Sequence, residues 1–406
     1  MYIISNMRGE ELKAIDLFCG GGGISSGLKM SGLQVLAGVD IEKKYLCSFS
    51  RNFPDAQSLN IDLATYQPKD FQDLIGVKSG ELFLIAGGPP CQGFSKNVPR
   101  RERFLEDPRN LLVNSFLDQC ENLNPQWILL ENVAEMKNGF DQAYTDEINS
   151  RLSSTGYKVA YSVLNAADYG VPQRRRRAFF IANRLGINFK FPEPTHEKNN
   201  GENTGNLFSL PSHINVWEAI SDLPSLKHGE GEAFCEYSSE PTSDFQRKMR
   251  GNNILVANHI ARTLQPKQHS RLAALKPGQG LKDLPLHLQT KGGYSGAYGR
   301  LTTEMIAPTI TRWVFHPGSG RWGHPVDTRT LSIREVARIQ GFPDDYEFVG
   351  SFTDQAGQLG NAVPPLLAHQ IVMQILHQTS SKRDRISMNC SNVNLCEGAG
   401  ISKVTI

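Results

Sequence analysis

The chain predicts an α/β protein: a doubly wound, mostly parallel sheet joined to a second, smaller and irregular domain. Three observations carry this. Short apolar runs alternate with helix-spaced segments through the first half of the 406 residues. Glycine clusters fall where those runs end, as at Gly20–Gly23 and Gly87–Gly88. The alternation stops after Asn183 and returns only at Ser332.

Ala14–Phe18 is the first strand, followed by the glycine turn and a helix beginning near Ile24. Gln34–Val39 is the second strand, leading to a helix over Lys43–Phe53, and Ser58–Ile61 is a third. Leu82–Ala86 is continuously apolar, as expected of a strand covered on both faces. Leu111–Leu123 has helical spacing, with Leu112, Phe116, Leu117 and Cys120 on one side. Trp127–Leu130, Tyr157–Leu164 and Ala178–Ala182 are further strands. Prolines, glycines and asparagines punctuate 191–212. Helices return at Ser332–Gln340 and at Leu366–Leu376, the latter started by Pro364–Pro365. These features divide the chain into 1–185, an irregular 186–328, a return at 329–378, and a polar tail over 379–406 expected to be mobile.

Composition narrows the function classes. No apolar run approaches the roughly 20 residues of a membrane span. Seven cysteines, an odd number, with no CxxC pair and no zinc-type Cys/His spacing, argue against a disulfide framework and against a metal site. A cytoplasmic location is expected. The net charge of +2 conceals a polarity. Residues 193–244 carry about −8, and residues 245–321 about +10, with His259, His269, Tyr294, Tyr298 and Trp313 among the basic groups. A run of one sign is usually a solvated face; a basic stretch with interleaved aromatics is also the footprint of a polyanion-binding segment.

Three places carry candidate chemistry. Gly20–Gly23 expose backbone N–H groups to a ligand, although the G-x-G-x-x-G spacing from Gly21 lands on Ser26 and fails the dinucleotide fingerprint. Asp40 and Asp62 close successive strands, where a carboxylate suits a ribose diol and an adenine amino group; singly, each is as well read as a cap or turn residue. Gly87–Gly88–Pro89–Pro90–Cys91–Gln92–Gly93–Phe94–Ser95 holds a cysteine out on a stiff turn at the end of an apolar run. A free cysteine is usually core filling, but the flanks of Cys91 are turn residues, which favours a nucleophile. Glu131 ends a neighbouring strand, where burial raises a carboxyl pKa and suits it to donate a proton. In Arg174–Arg177, alternate side chains of an extended segment point the same way, so Arg175 and Arg177 share a face.

With these pieces in view, the chain resembles the DNA (cytosine-5)-methyltransferases of bacterial restriction-modification type. The matching stretches run in family order: DLFCGGGGISSGL at 16–28, GGPPCQGFS at 87–95, ENV at 131–133, QRRRRAFFIA at 173–182, then RTLSIREVARIQGFPDDY and QLGNAVPP near 329–365. They leave the irregular middle as the target-recognition domain. The resemblance implies that Cys91 attacks carbon 6 of a flipped-out cytosine in duplex DNA. Glu131 then contacts ring nitrogen 3 and the amino group, and Arg177, helped by Arg175, binds the carbonyl oxygen. It implies S-adenosylmethionine as cofactor, held by Phe18, Asp40 and Asp62, with Gly20, Gly22, Gly23, Ile41, Leu63 and Pro89 around it and Asn361 and Val363 closing over it. Ser95 and Arg109 are expected at the DNA. Arg300 and Arg312 are candidates for guanine edges or phosphates. The protein is expected to act as a monomer, with a separate cognate restriction endonuclease as a possible partner.

Three other readings compete. A tRNA cytosine methyltransferase shares the scaffold, but the Cys-Phe-Thr signature typical of its relatives is absent. A NAD-type oxidoreductase rests on the glycine loop and Asp40 alone. A non-enzymatic DNA-binding protein leaves Cys91 and Glu131 without a purpose.

Overall fold

The computed structural model describes residues 11–90, 111–137, 142–198, 209–290, 292 and 296–397. Its centre is a seven-stranded sheet of β1 (Lys13–Leu17), β2 (Gln34–Asp40), β3 (Gln57–Asn60), β4 (Leu84–Gly87), β5 (Trp127–Val133), β6 (Lys158–Asn165) and β7 (Arg176–Asn183), in the order β3-β2-β1-β4-β5-β7-β6. The first five run parallel, whereas β7 pairs antiparallel with both β5 and β6. Strand order reverses between β1 and β4, so the crevice outside their carboxyl ends is where a doubly wound sheet binds ligands.

Each face of the sheet has its own core. Ile15, Leu17, Val39, Ile85, Ile128 and Phe180 point to one side, against Phe71, Phe116 and Ile148 of the helices Pro68–Ile75, Leu111–Leu123 and Ala143–Ser154. Ala14, Leu84, Ala86, Trp127, Leu129 and Phe179 point to the other, where Ile24, Leu28, Val336, Leu367 and Ile371 cover them. Cover on both sides explains why β4 and β5 read as unbroken apolar runs.

The late helix Ile333–Gln340 is specified locally at both ends. Ser332 and Glu335 form a reciprocal capping box, and Gly341 turns left-handed at φ 88° to end it. Its charged residues are buried: Arg329 pairs with Glu335 at 2.8 Å, and Arg338 with Asp344 at 2.6 Å and with Asp222. Arg334 donates to the carbonyls of Ala257, Pro343 and Tyr346. This explains how two arginines, Arg334 and Arg338, sit in an otherwise apolar helical pattern.

The segment between Asn183 and Ser332 holds short helices (Val216–Ile220, Asp244–Arg250, Pro266–Ala273) and a two-stranded antiparallel ribbon of β8 (Gly231–Glu236) and β9 (Leu255–Ile260). It does not form a core wholly its own. Val216, Phe245, Val256, Leu301 and Ile310 join the cluster that also contains Val336 and Ile371. Among the described residues, Leu275, Leu284, Ala297 and Tyr298 form a small separate cluster.

Part of the basic stretch is turned inward, while Arg247, Lys248, Lys267, Lys276, Lys282 and Arg312 are exposed. Arg300 is buried and donates to the carbonyls of Leu275, His324, Pro325, Val326 and Asp327. It is therefore a brace for irregular backbone, not a DNA contact as expected. Arg321 holds the carbonyls of Gly278, Gln279 and Arg300, and Arg271 that of Leu288. Arg250 stacks on Tyr237 and pairs with Asp222. His259 is buried between Pro224 O and Ser332 Oγ, with its pKa lowered by desolvation. Irregular chain leaves carbonyls unpaired, and a guanidinium is the side chain able to satisfy several at once.

Of the tail expected to be mobile over 379–406, residues 379–397 lie instead within the helix Pro365–Glu397, and the rest fall outside the described residues. The Thr379 hydroxyl donates to Ile375 O and accepts from the Trp127 indole, and Lys382 donates to Leu185 O, so tertiary contacts hold a polar stretch in place.

Candidate active site

A cavity of about 520 Å³ opens at the carboxyl ends of β1, β2, β4 and β5. Its first half is built by the turn after β1. Phe18 adopts φ 60° and Gly20 φ 54°, a left-handed kink that is costly for phenylalanine and marks a constrained site. Gly20 N donates to Asp40 Oδ2 at 2.8 Å, and Glu42 N to Asp40 Oδ1 at 2.8 Å. Asp40 is thus fixed at the rim, with its pKa raised by burial. Asp62 lies two residues beyond β3 and lines the same wall with Leu63, while Ile41 projects 60% exposed beside them.

Asp16, inside β1, was not singled out in the sequence. It is fully buried and lines the cavity. Its Oδ2 accepts from Ser25 N at 3.0 Å and from Ser25 Oγ at 2.5 Å, while Oδ1 has no partner among the described residues. Desolvation pushes its pKa up to about 7. An orphaned buried carboxylate oxygen facing a cavity is what a ligand ammonium would satisfy.

The second half is built by β4, β5 and β7. Gly87 sits opposite Leu130, so the chain leaves β4 one residue short of the level of Glu131. Glu131 is buried, and its Oε1 lies 2.8 Å from Arg177 Nε. Burial raises its pKa against the opposing charges of Arg177 and Arg175. Gly88 is required for this approach: a Cβ there would stand 3.0 Å from Glu131 Oε2. Asn132, the middle residue of the ENV stretch, donates from Nδ2 to Pro89 O at 2.9 Å. It anchors the loop that continues through Pro90, which lines the cavity, to Cys91.

A lip closes the cavity from the far end of the chain. The helix Phe352–Asn361 carries Gln358, Gly360 and Asn361 to the wall, followed by Val363. A Cβ on Gly23 would collide with Val363 O, so this glycine lets the lip seat on the turn. Arg312 lies on the same rim, exposed, its guanidinium 5.1 Å from the Trp313 ring.

The cavity therefore gathers Phe18, Gly20, Gly23, Asp40, Ile41, Asp62, Leu63, Pro89, Glu131, Arg175, Arg177, Arg312, Asn361 and Val363. Gly22 does not line it: its Cα faces Tyr346 and Phe53, where it permits packing under the turn. Arg300 lies elsewhere, as described. Cys91, Ser95, Arg109 and Tyr294 fall outside the described residues. Asp16, Cys19, Tyr45, Asn132 and Gln358 were missed. For Asp16 the signal was a carboxylate inside an apolar strand, and for Asn132 its place in ENV. Among the described residues, no three His, Cys, Asp or Glu are grouped to hold a metal, and no helix is long and apolar enough to cross a membrane.

Such a crevice, a carboxylate-rimmed nucleoside-sized end beside a buried acid and a guanidinium, can bind a cationic adenosine-type ligand next to a flat polar ring. The model of C-5 cytosine-specific DNA methylases matches residues 12–377. The chain belongs to the C-5 cytosine-specific DNA methylase family. The activity of this cytosine methylase family is S-adenosylmethionine-dependent methylation at carbon 5. The chain is 31% identical over 430 aligned residues to Type II methyltransferase M.AgeI of Thalassovita gelatinovora, covering 90% of this chain and 99% of that one. It is 33% identical over 418 to Type II methyltransferase M.DdeI of Desulfomicrobium norvegicum, covering 96% and 92%. Against mouse DNA (cytosine-5)-methyltransferase 1 it is 30% identical, covering 93% of this chain but 29% of that protein. The fold matches a crystal structure of a DNA modification methyltransferase encoded within an E. coli prophage, with a TM-score of 0.71 at 23% identity over 91% of this chain and 99% of the other.

Proposed function

We propose that this cytosine methylase modifies a defined sequence in duplex DNA through a covalent adduct on Cys91, as one half of a restriction-modification pair. The observation that carries the reading is the placement of Glu131 and Arg177 at 2.8 Å in the same cavity as Asp16 and Asp40. S-adenosylmethionine, when bound, supplies an electrophilic methyl group on a sulfonium. Asp16 suits its ammonium, Asp40 its ribose hydroxyls and Asp62 its adenine amino group, with Gly20, Gly23, Asn361 and Val363 around it.

The residues of the chain do the rest. Carbon 5 of cytosine is a weak nucleophile until carbon 6 is attacked. The Cys91 thiolate donates its electron pair to carbon 6, forming a C–S bond and pushing charge toward nitrogen 3. Glu131, whose pKa burial raises, donates to nitrogen 3 in its protonated form, and Arg177 donates to the ring carbonyl oxygen. Carbon 5 then takes the methyl group, whose bond to the sulfonium sulfur breaks with its electron pair left on a neutral thioether. Loss of the carbon 5 proton to a base returns the electrons that break the C–S bond and release Cys91. Neither ring carbon is accessible in a duplex, so the base swings out at a cost of a few kcal/mol. Arg312, Ser95 and Arg109 are placed in this reading on the DNA. It also takes the protein to work as a monomer, with any cognate endonuclease acting separately.

The test is transfer of label from S-adenosylmethionine to DNA, with the modified cytosines mapped by sequencing. Wild-type protein is expected to label duplex DNA and not tRNA, Cys91→Ser to abolish labelling, and 5-fluorocytosine DNA to be trapped as a stable adduct. Labelling of tRNA alone, or of no nucleic acid, overturns the reading.

A further inference from the structure

Arg175 shares the cavity with Arg177 but is engaged differently. It is 1% exposed, and its guanidinium spans two walls: Nη1 donates to Ile310 O at 2.9 Å and Nη2 to Gly360 O at 2.8 Å. Ile310 starts the arm that carries Arg312 and the 55% exposed Trp313. Gly360 belongs to the lip over the nucleoside-sized end. The walls touch directly, since a Cβ on Gly360 would run into the backbone of Thr311 and Arg312.

Gln173 repeats the pattern two residues earlier. Its Oε1 accepts from Ile310 N at 2.8 Å, and its amide donates to Gln340 Oε1. Gln340 in turn donates to Leu359 O and Ala362 O of the lip at 2.6 and 3.0 Å. Arm and lip therefore hang on one stretch of chain, 173–177, which ends in Arg177 on Glu131.

The geometry points to Arg175 as a positioning residue that makes cofactor binding under the lip and DNA docking on the arm depend on each other. The inference rests on the proposed function, in which the lip covers cofactor and the arm faces DNA. If either wall moves alone, a buried guanidinium N–H loses its acceptor, and that loss is expensive. The two walls are therefore ordered together, and a ligand that orders one lowers the cost of ordering the other. The coupling is reciprocal by linkage.

The test uses the full chain, S-adenosylhomocysteine as the probe, and a duplex containing the mapped target cytosine. Dissociation constants are measured for each ligand with and without the other. Wild type is expected to bind each ligand at least about fivefold tighter in the presence of the other. Arg175→Lys, which reaches one carbonyl but not both, is expected to bring that factor to within about twofold of unity, whatever its effect on the affinity for each ligand alone. Gly360→Ala, which prises arm from lip and keeps the guanidinium, is expected to do the same, and it decides the matter if Arg175→Lys does not fold. Arg177→Lys is expected to lower turnover with the factor intact. Undiminished coupling in the folded variants, or wild type without coupling, overturns the inference. Failure of wild type to bind S-adenosylhomocysteine overturns the functional reading and this inference with it.

Discussion

Across the seven-stranded sheet, backbone donors and acceptors meet their partners on the neighbouring strand; between Asn183 and Ser332, arginine side chains supplement the backbone's own bonds. Arg300, Arg321 and Arg271 together hold nine carbonyl contacts there. The sheet half instead sets an arginine side chain, Arg177, against the Glu131 carboxylate in the cavity. A count of about +10 over 245–321 is therefore not a measure of DNA contact. Much of that charge is architecture, and the outward remainder includes Lys267, Lys276, Lys282 and Arg312.

The comparison breaks if a sheet-half substitution damages the fold more than the reaction. Glu131→Gln removes the proton donor and is expected to lower kcat by about 10²–10⁴, with little change in melting temperature. The alkaline limb of the pH profile supports the same point. Glu131 has a raised pKa and donates only when protonated, so turnover should fall as pH rises through that pKa, and the variant should lose this dependence. Gly88→Ala, aimed at the 3.0 Å gap, should lower kcat in the same direction but less.

Next in size is the ion-pair network that ties the irregular segment to the helix Ile333–Gln340. Arg338→Met takes the guanidinium from two buried carboxylates, leaving Asp222 to Arg250 and Asp344 to the Tyr237 hydroxyl. It should cost about 3–5 kcal/mol in urea unfolding. Arg300→Ala, which strands buried carbonyls, should cost about 2 kcal/mol and leave the salt dependence of DNA binding unchanged. Exposed Lys276→Ala should do the reverse: stability within about 0.5 kcal/mol of wild type, and a salt slope smaller by about 0.9 if it meets a phosphate.

The gentlest probe is pH. His324 is buried, accepts from Val326 N and Asp327 N, and has its pKa lowered to about 4 by desolvation. The unfolded chain takes up that proton near pH 6.5, so stability present above this value should be lost progressively down to about 4. Arg329 depresses Glu335 and Arg338 depresses Asp344, so their contributions are present at neutral pH and disappear only in stronger acid. Denaturant midpoints for wild type and His324→Gln between pH 7 and 4 check this; the variant should show the shallower decline.

Strands were legible because burial on both faces forces apolar runs, and the gathering of Asp40, Glu131 and Arg177 at one cavity because each lies near a strand end. The helix Phe352–Asn361 was not, since Gly357 and Gly360 weaken its propensity. Those glycines are there for close approach, Gly357 to the Tyr45 hydroxyl and Gly360 to the arm. Tertiary contact overrides local preference at both. The helix Ala143–Ser154 was also unassigned, although Tyr144, Ile148 and Leu152 fall four apart. The fates of Arg177, Arg175 and Arg300 were illegible for a different reason. Nothing local distinguishes an arginine that meets a carboxylate from one that meets five carbonyls.

The small cluster of Leu275, Leu284, Ala297 and Tyr298 has a consequence for how new variants of this protein arise. Exchange of the whole stretch between the sheet and the late helix would strip Val216, Phe245, Val256 and Ile310 from beneath Val336 and Ile371. Recombination inside the lobe leaves those residues untouched, provided the incoming piece keeps carbonyls for Arg300 and Arg321 to grasp. The scaffold thus accepts grafts at one place and rejects them at its margins.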